Sequence, residues 1–260
     1  MLMRKMKKYF IFLVIIFLFS SCDKKDAIEK SGFVFIEGGT YLIGSEKDYK
    51  YKTKGEEDKH YVTINSFYIS RTEITNKEYN EIMGLPSTEN DNYPVVNVSW
   101  IDAIIFCNKK STLENIDCYY ELVYDNDNSL INVFTNEQSQ GYRLPTMSEW
   151  EIACRAGTDT LFYTGRKLKH KQANINSESL MPVASYPPNK NGLFDMYGNA
   201  DEWCWDLPQW TNKFYEFRFI KGGNYECKWY EISSSSIYVS MVDTKSPYIG
   251  FRIARNAQNN

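Results

Sequence analysis

The chain has 260 residues, of which 43% are apolar and 24% charged, enough to bury one sizeable core. It holds only two histidines, His60 and His170, so a histidine-rich zinc or iron centre is excluded. Setting aside four basic residues at the start, 26 cations face 33 carboxylates, a balance that argues against nucleic acid as a partner because phosphate binding calls for a cationic surface.

In chain order the first element reads as an address. Arg4, Lys5, Lys7 and Lys8 precede the apolar run 9–19, which is short for a permanent bilayer span, and Ser20, Ser21 and Cys22 follow it. The last three resemble a bacterial lipobox, with Phe19 where leucine is usual. On that reading residues 1–21 are a lipoprotein signal peptide and Cys22 is the lipidated first residue of a chain held at the membrane of the cell envelope, periplasmic or surface-exposed. An uncleaved anchor is the alternative. Residues 22–32, charged and poor in apolar side chains, suit a tether. A single domain is expected over 33–256.

Within it, 33–45 predicts two short strands around Gly38-Gly39, and 60–75 alternates as strand. Three capping-box patterns follow: Thr75 with Glu78, Ser99 with Asp102, and Thr146 with Glu149. They open expected helices over 76–84, 100–111 and 147–157, the last closed by Gly157. Residues 125–140 read as a hairpin or loop. The stretch 185–206 is rich in Gly, Asn, Pro and aromatics with no periodic apolar face, so turn chemistry or a bound ion must hold it. Strands are expected again over 217–223 and 248–255. Five cysteines follow Cys22, none in CxxC spacing, and an odd number leaves at least one thiol unpaired within a monomer.

The segments "PVVNVSWIDAIIFC" (94–107), "GYRLPTMSEWEIACRAG" (141–157), "NGLFDMYGNADEW" (191–203), "KGGNYEC" (221–227) and "GFRIAR" (250–255) occur in the order found in the formylglycine-generating enzyme family, also called the sulfatase-modifying factor family. The resemblance covers nearly all of the chain from residue 33 to 255. It implies an α+β fold with little regular secondary structure, an irregular variant of the C-type lectin fold. Enzymes of the family oxidise a cysteine of sulfatases to formylglycine at a copper(I) ion held by two cysteines, soft ligands that suit this ion. Here Cys227 matches the first of these, but Ile232 stands at the second, Asn224 at a serine position, Lys221 at an arginine position and Asp201 at a tryptophan position. Cys227 would be catalytic only in a chain that keeps copper by other means. Cys107 and Cys154 match half-disulfide positions whose usual partners fall near Ile237 and Ile253, so they are expected in the core or paired with each other.

The same resemblance implies calcium in "DMYGNADE" (195–202), bound by the carboxylates of Asp195 and Glu202 and the carbonyls of Gly198 and Ala200, oxygen ligands of the kind calcium takes. A second calcium position begins at Asn174 and Ile175, where the completing loop is shortened. Arg143, Glu149, Trp150 and Arg155 read as a helix cap with ion pairs and an aromatic. From 222 to 248 the chain is dense in Tyr, Trp, Ser and Asn, a mixture like that of antibody paratopes, and the region resembles the ligand-facing part of lectin-fold proteins diversified by retroelements. Asn224, Tyr225, Trp229, Tyr230 and Tyr238 are the expected ligand contacts. The expected function is therefore an envelope-anchored, non-catalytic protein that binds a protein or glycan. The alternatives are a copper-dependent formylglycine-generating oxidase and a scaffold subunit of an envelope complex.

Overall fold

The computed structural model describes residues 28–29, 31–53, 55–127, 129–208 and 216–258; the signal segment and Cys22 lie outside them. Among the described residues no helix is long and apolar enough to cross a membrane. Among the described residues three helices have eight or more residues: α1 (Asn76–Met83), α2 (Trp100–Leu113) and α3 (Met147–Arg155). The capping patterns account for their starts. In α2 and α3 the bond is reciprocal, Ser99 with Asp102 and Thr146 with Glu149, whereas at α1 only Thr75 accepts from the Glu78 N–H. Helix α3 ends one residue earlier than expected, at Ala156 in the left-handed region (φ 48°), with Gly157 also at positive φ beyond it.

The strands are short and widely shared. β1 (Phe33–Ile36) and β2 (Gly39–Ile43) flank the glycine pair but do not form a hairpin with each other. Instead β2 pairs with β3 (His60–Ile64), and β1 pairs with β4 (Phe67–Ser70). β5 (Tyr120–Tyr124) and β6 (Leu130–Thr135) make the hairpin expected near 125–140. The final segment differs most from its sequence reading. Where one strand was expected over 248–255, Ile249–Gly250 (β11) and Ala254–Asn256 (β12) are separate strands in separate sheets. β12 lies between β4 and β7 (Tyr142–Arg143) in the order β1-β4-β12-β7. β11 borders β8 (Asp201–Trp203) in the order β10-β9-β8-β11, with β9 at Phe217–Lys221 and β10 at Tyr238–Met241. A side chain at Gly250 would put a Cβ 2.3 Å from the Val95 carbonyl, so only glycine lets the chain pass from one sheet to the other there.

Between the two strands Phe251, Arg252 and Ile253 are fully buried. Arg252 donates through Nε and Nη2 to the two oxygens of Glu202 at 2.6 and 2.7 Å, through Nη1 to the Ser70 carbonyl, and through Nη2 to the Phe194 carbonyl. Glu202 also accepts from the Trp150 indole at 2.6 Å. One guanidinium thus joins β4, the loop before β8, β8 itself and, through Glu202, helix α3. Two core clusters lie on either side, one around Trp100, Ile104, Phe106 and Phe251 and the other around Phe67, Ile69, Trp150, Leu193 and Tyr197. Trp100 and Trp203 lock the first, each indole donating to a backbone carbonyl beside the other's strand or helix, Cys204 and Val98 respectively. The expected cluster at α3 also forms: Arg143 makes a bidentate pair with Glu149 at 2.7 and 2.6 Å, and Arg155 converges through Nε and Nη2 on one oxygen of Glu151.

Because Glu202 is wholly buried, deleting its partner strands a charge in the interior. Arg252→Met is expected to lose about 3–5 kcal/mol of stability. A urea titration followed by tryptophan fluorescence checks this; an unchanged midpoint would show that Glu202 finds another partner.

Candidate binding site around Cys227

Residues 222–231 leave β9 through two glycines at positive φ, Gly222 (94°) and Gly223 (76°), and turn back over the end of β8. Asn224 builds this turn. Its side-chain amide donates to Asp201 at 2.7 Å, its side-chain carbonyl accepts from the Glu226 N–H, and its backbone N–H points at the Cys227 sulfur at 3.4 Å. Asp201 is 5% exposed, and its second oxygen has no partner; burial pushes its carboxyl up to about 7. A Cβ placed on Gly223 would stand 2.3 Å from the Ile232 Cγ2 and 3.4 Å from the Cys227 Sγ. Isoleucine and cysteine therefore lie over the same glycine. Burial pushes the half-buried Cys227 thiol up to about 11, and the carboxylates of Asp201, Glu231 and Glu226 disfavour the thiolate further.

The expected contact residues divide into three groups. Tyr225 packs against Tyr248, ring centres 5.5 Å apart, beside an open cavity of about 460 Å³ lined in part by Tyr93, Pro94 and Glu178. Trp229 and Tyr230 form a second cluster with Tyr51, at 6.1 and 5.3 Å, flanked by the ammonium groups of Lys50 and Lys228. Tyr51, from the polar 45–58 segment, was not expected at the site; aromatics spaced through that lysine-rich stretch were the available signal. Tyr238 does something different. Its hydroxyl donates to the Glu231 carbonyl, so it props the turn from β10.

The serines depart from the sequence reading. Ser233 to Ser236 are all at most 3% exposed and bond inward, Ser234 to the Tyr197 hydroxyl and the Leu161 carbonyl, Ser235 to Glu56. The solvent-facing part of this surface is aromatic, amide and charged, with Glu226, Lys228 and Glu231 exposed, and lacks the serine run.

The Sulfatase-modifying factor enzyme 1-like domain model matches residues 19–257. The chain belongs to this family. It is 31% identical over 237 residues to the "Chaperone protein LppX" of Paenibacillus barcinonensis, covering 77% of this chain and 81% of that protein. To the formylglycine-generating enzyme of Mus musculus it is 27% identical over 194 residues, 63% of this chain and 44% of that protein. The solved structure titled "Treponema denticola variable protein 1" superposes with a TM-score of 0.73 at 22% identity, covering 86% of this chain and 95% of that one. The mixed, open-sheet architecture is the C-type-lectin-like fold of the sulfatase-modifying factor family, as expected.

Other family positions fall as follows. Cys107, Cys154 and Cys204 are buried, Cys118 and Cys227 half-buried, and all five are free thiols, so Cys107 and Cys154 are core residues and do not pair. In the loop expected to hold calcium, Asp195 sits at positive φ (53°), 5% exposed, and accepts the Ala184 N–H. Gly198 is held against the Asn174 carbonyl, where a Cβ would come within 2.1 Å. Glu73, from the turn before α1, joins this cluster: burial and the nearby Asp195 and Glu202 raise its carboxyl well above the usual range, and one of its oxygens is buried without a partner. Three buried carboxylates, Glu73, Asp195 and Glu202, lie around the Arg252 guanidinium, but both oxygens of Glu202 already receive Arg252 and one also Trp150, and among the described residues no group of three or more His, Cys, Asp or Glu side chains is arranged to hold a metal ion. At the second expected position, the Asn174 amide donates to Asn199 and to the Ser179 carbonyl, and Ile175 is in the core.

A thiol raised to about 11 is almost wholly protonated at neutral pH. Alkylation of native Cys227 by iodoacetamide at pH 8 is expected to be at least about tenfold slower than that of a free cysteine, whose thiol has a pKa near 8.5, and to accelerate through pH 9–11. Peptide mass spectrometry reads this out; fast labelling at pH 7 would mean an activated thiolate.

Proposed function

We propose that this sulfatase-modifying-factor domain is a non-catalytic binding protein anchored in the bacterial envelope through Cys22, and that the aromatic face around Cys227 takes a protein or glycan ligand. The observation that carries the reading is Ile232: a branched hydrocarbon, 1% exposed, stands over Gly223 beside Cys227, where copper chemistry of the family type calls for a second thiolate. A single protonated thiol and an isoleucine offer copper(I) one sulfur. What lies outside them suits recognition instead. Tyr51, Trp229 and Tyr230 are rigid rings with few torsions to freeze, and Tyr225 with Tyr248 forms a second ring pair at the mouth of an open groove. The basic start, the apolar run 9–19 and Ser20-Ser21-Cys22 support the envelope placement.

Calcium is part of the same proposal. Asp195 and the carbonyls of Gly198 and Ala200 would hold it, with Glu202 in the family position, and it would neutralise the excess of buried carboxylate beneath the aromatic face.

Two measurements test these readings on the full chain. Supplied with copper(I), oxygen and a sulfatase-derived cysteine peptide, the chain is expected to leave the peptide unchanged by mass spectrometry. Aldehyde that disappears in Cys227→Ser would establish the oxidase instead. On arrays of oligosaccharides and envelope-derived peptides, signals of the unaltered chain are expected to fall about tenfold or more in Tyr51→Ala/Trp229→Ala, since central aromatic contacts carry most of the binding energy at an interface. Signals indifferent to that change would remove the aromatic face from the proposal.

For calcium, millimolar CaCl₂ is expected to raise the melting temperature by about 4 °C or more and EDTA to reverse it, with Asp195→Asn losing the response. No calcium-dependent shift would leave Glu73 and Asp195 as a protonated pair.

A further inference from the structure

A cavity of about 1050 Å³ lies between the β2–β3 hairpin, the start of α3 and the β9–β10 ladder. Among the described residues Cys227, Trp229 and Tyr230 do not line it; Tyr238, whose hydroxyl holds the aromatic turn, does, so the cavity adjoins that turn without including its rings. Its size is that of a small-molecule pocket. Ile43, Met147, Phe219 and Ile237 supply apolar walls, and Lys221 with Glu151 forms the polar end.

The charges at that end do not match. Lys221 is wholly buried and its ammonium reaches one carboxylate oxygen, Glu151 Oε2, at 3.3 Å; its other contacts are the Ser234 carbonyl at 3.0 Å and the Trp150 ring. The other oxygen of Glu151 is taken by Arg155 at 2.7 and 2.8 Å and by the Gly44 N–H. The remaining partners of Arg155 are the Gly44 and Thr160 carbonyls. Two buried cations therefore share one carboxylate, and an uncompensated buried charge is costly.

The other acids nearby are engaged elsewhere. Asp206 accepts the Met147 N–H at 2.6 Å, and burial pushes its carboxyl up, toward the neutral form. Glu57 is more than half exposed at the rim and pairs with His60. Glu56, behind Ser235, accepts from Ser235 and Thr53 and contacts neither cation.

We infer that this cavity binds a small amphipathic carboxylate, with its hydrocarbon between the apolar walls and its carboxylate supplying the missing partner of Lys221. The inference does not depend on what the aromatic face binds.

The test is isothermal titration of the purified full chain with octanoate, octanol and octylamine, which share a tail and differ in head charge. Octanoate is expected to bind at least about tenfold more tightly than the other two, the scale of one charge-assisted hydrogen bond. Lys221→Met is expected to bring octanoate down to the level of octanol. Ile237→Trp, which fills the cavity from its wall without touching the ion pairs, is expected to abolish octanoate binding while the chain still melts cooperatively. Equal or tighter binding of octylamine, no octanoate binding by the folded chain, or octanoate binding that survives Ile237→Trp would each overturn the inference. If Lys221→Met does not fold, the head-group series and Ile237→Trp decide it.

Discussion

Most of this molecule hangs on the ion pair between Arg252 and Glu202. Neither residue is exposed, and the pair is bonded in two places, so it behaves as a rigid bracket in a low-dielectric interior. From it the remaining guanidinium donors reach the carbonyls of Ser70 and Phe194, while the carboxylate reaches back to the Trp150 indole. A domain with strands of two to six residues cannot rely on long ladders for cohesion. Side-chain bonds to loop carbonyls take over that task, and this explains how the irregular stretch from Gly192 to Glu202 holds one shape. Asn189 plays the same part on a smaller scale, donating to the Ala153 and Cys154 carbonyls and accepting from the Asn191 and Leu193 N–H groups.

The bracket and the site are adjacent in sequence and separable in chemistry. Glu202 belongs to the scaffold, whereas its neighbour Asp201 turns toward Asn224 and shapes the turn that carries the aromatic rings. A family scaffold can therefore be kept while the residues above it change character. At Gly223 the residues above the backbone are the Cys227 sulfur and the Ile232 hydrocarbon side by side. The ring cluster of Tyr51, Trp229 and Tyr230 is assembled from two segments far apart in the chain, 45–58 and 222–231.

How much could be read in advance depended on the range of the interaction concerned. Helix starts are decided within four residues, and Ser99–Asp102 and Thr146–Glu149 announced theirs in the sequence. The break between β11 and β12 is decided by Val95, far away in the chain, so an alternating run looked like one strand. The four serines looked exposed because serine usually is; their burial depends on Tyr197, Leu161 and Glu56, none of which is local. Tyr51 was missed for the same reason. Motif order disclosed the family and placed Cys227 and Ile232 side by side, but the mismatch of Lys221 with Arg155 and Glu151 required β9 and α3, some 70 residues apart, to be seen together.

The placement of β12 has a consequence for how such a domain comes into being. It occupies an interior position of its sheet, between β4 and β7, although it is the last strand of the domain. Until those final residues are available, β4 and β7 have no neighbour to join them and Glu202 has no counter-ion. The fold thus has little to gain from assembling as the chain emerges: closure waits for the far end, and long-range pairing of this kind is slow. The last strand to be made is thus the one that closes the sheet around itself.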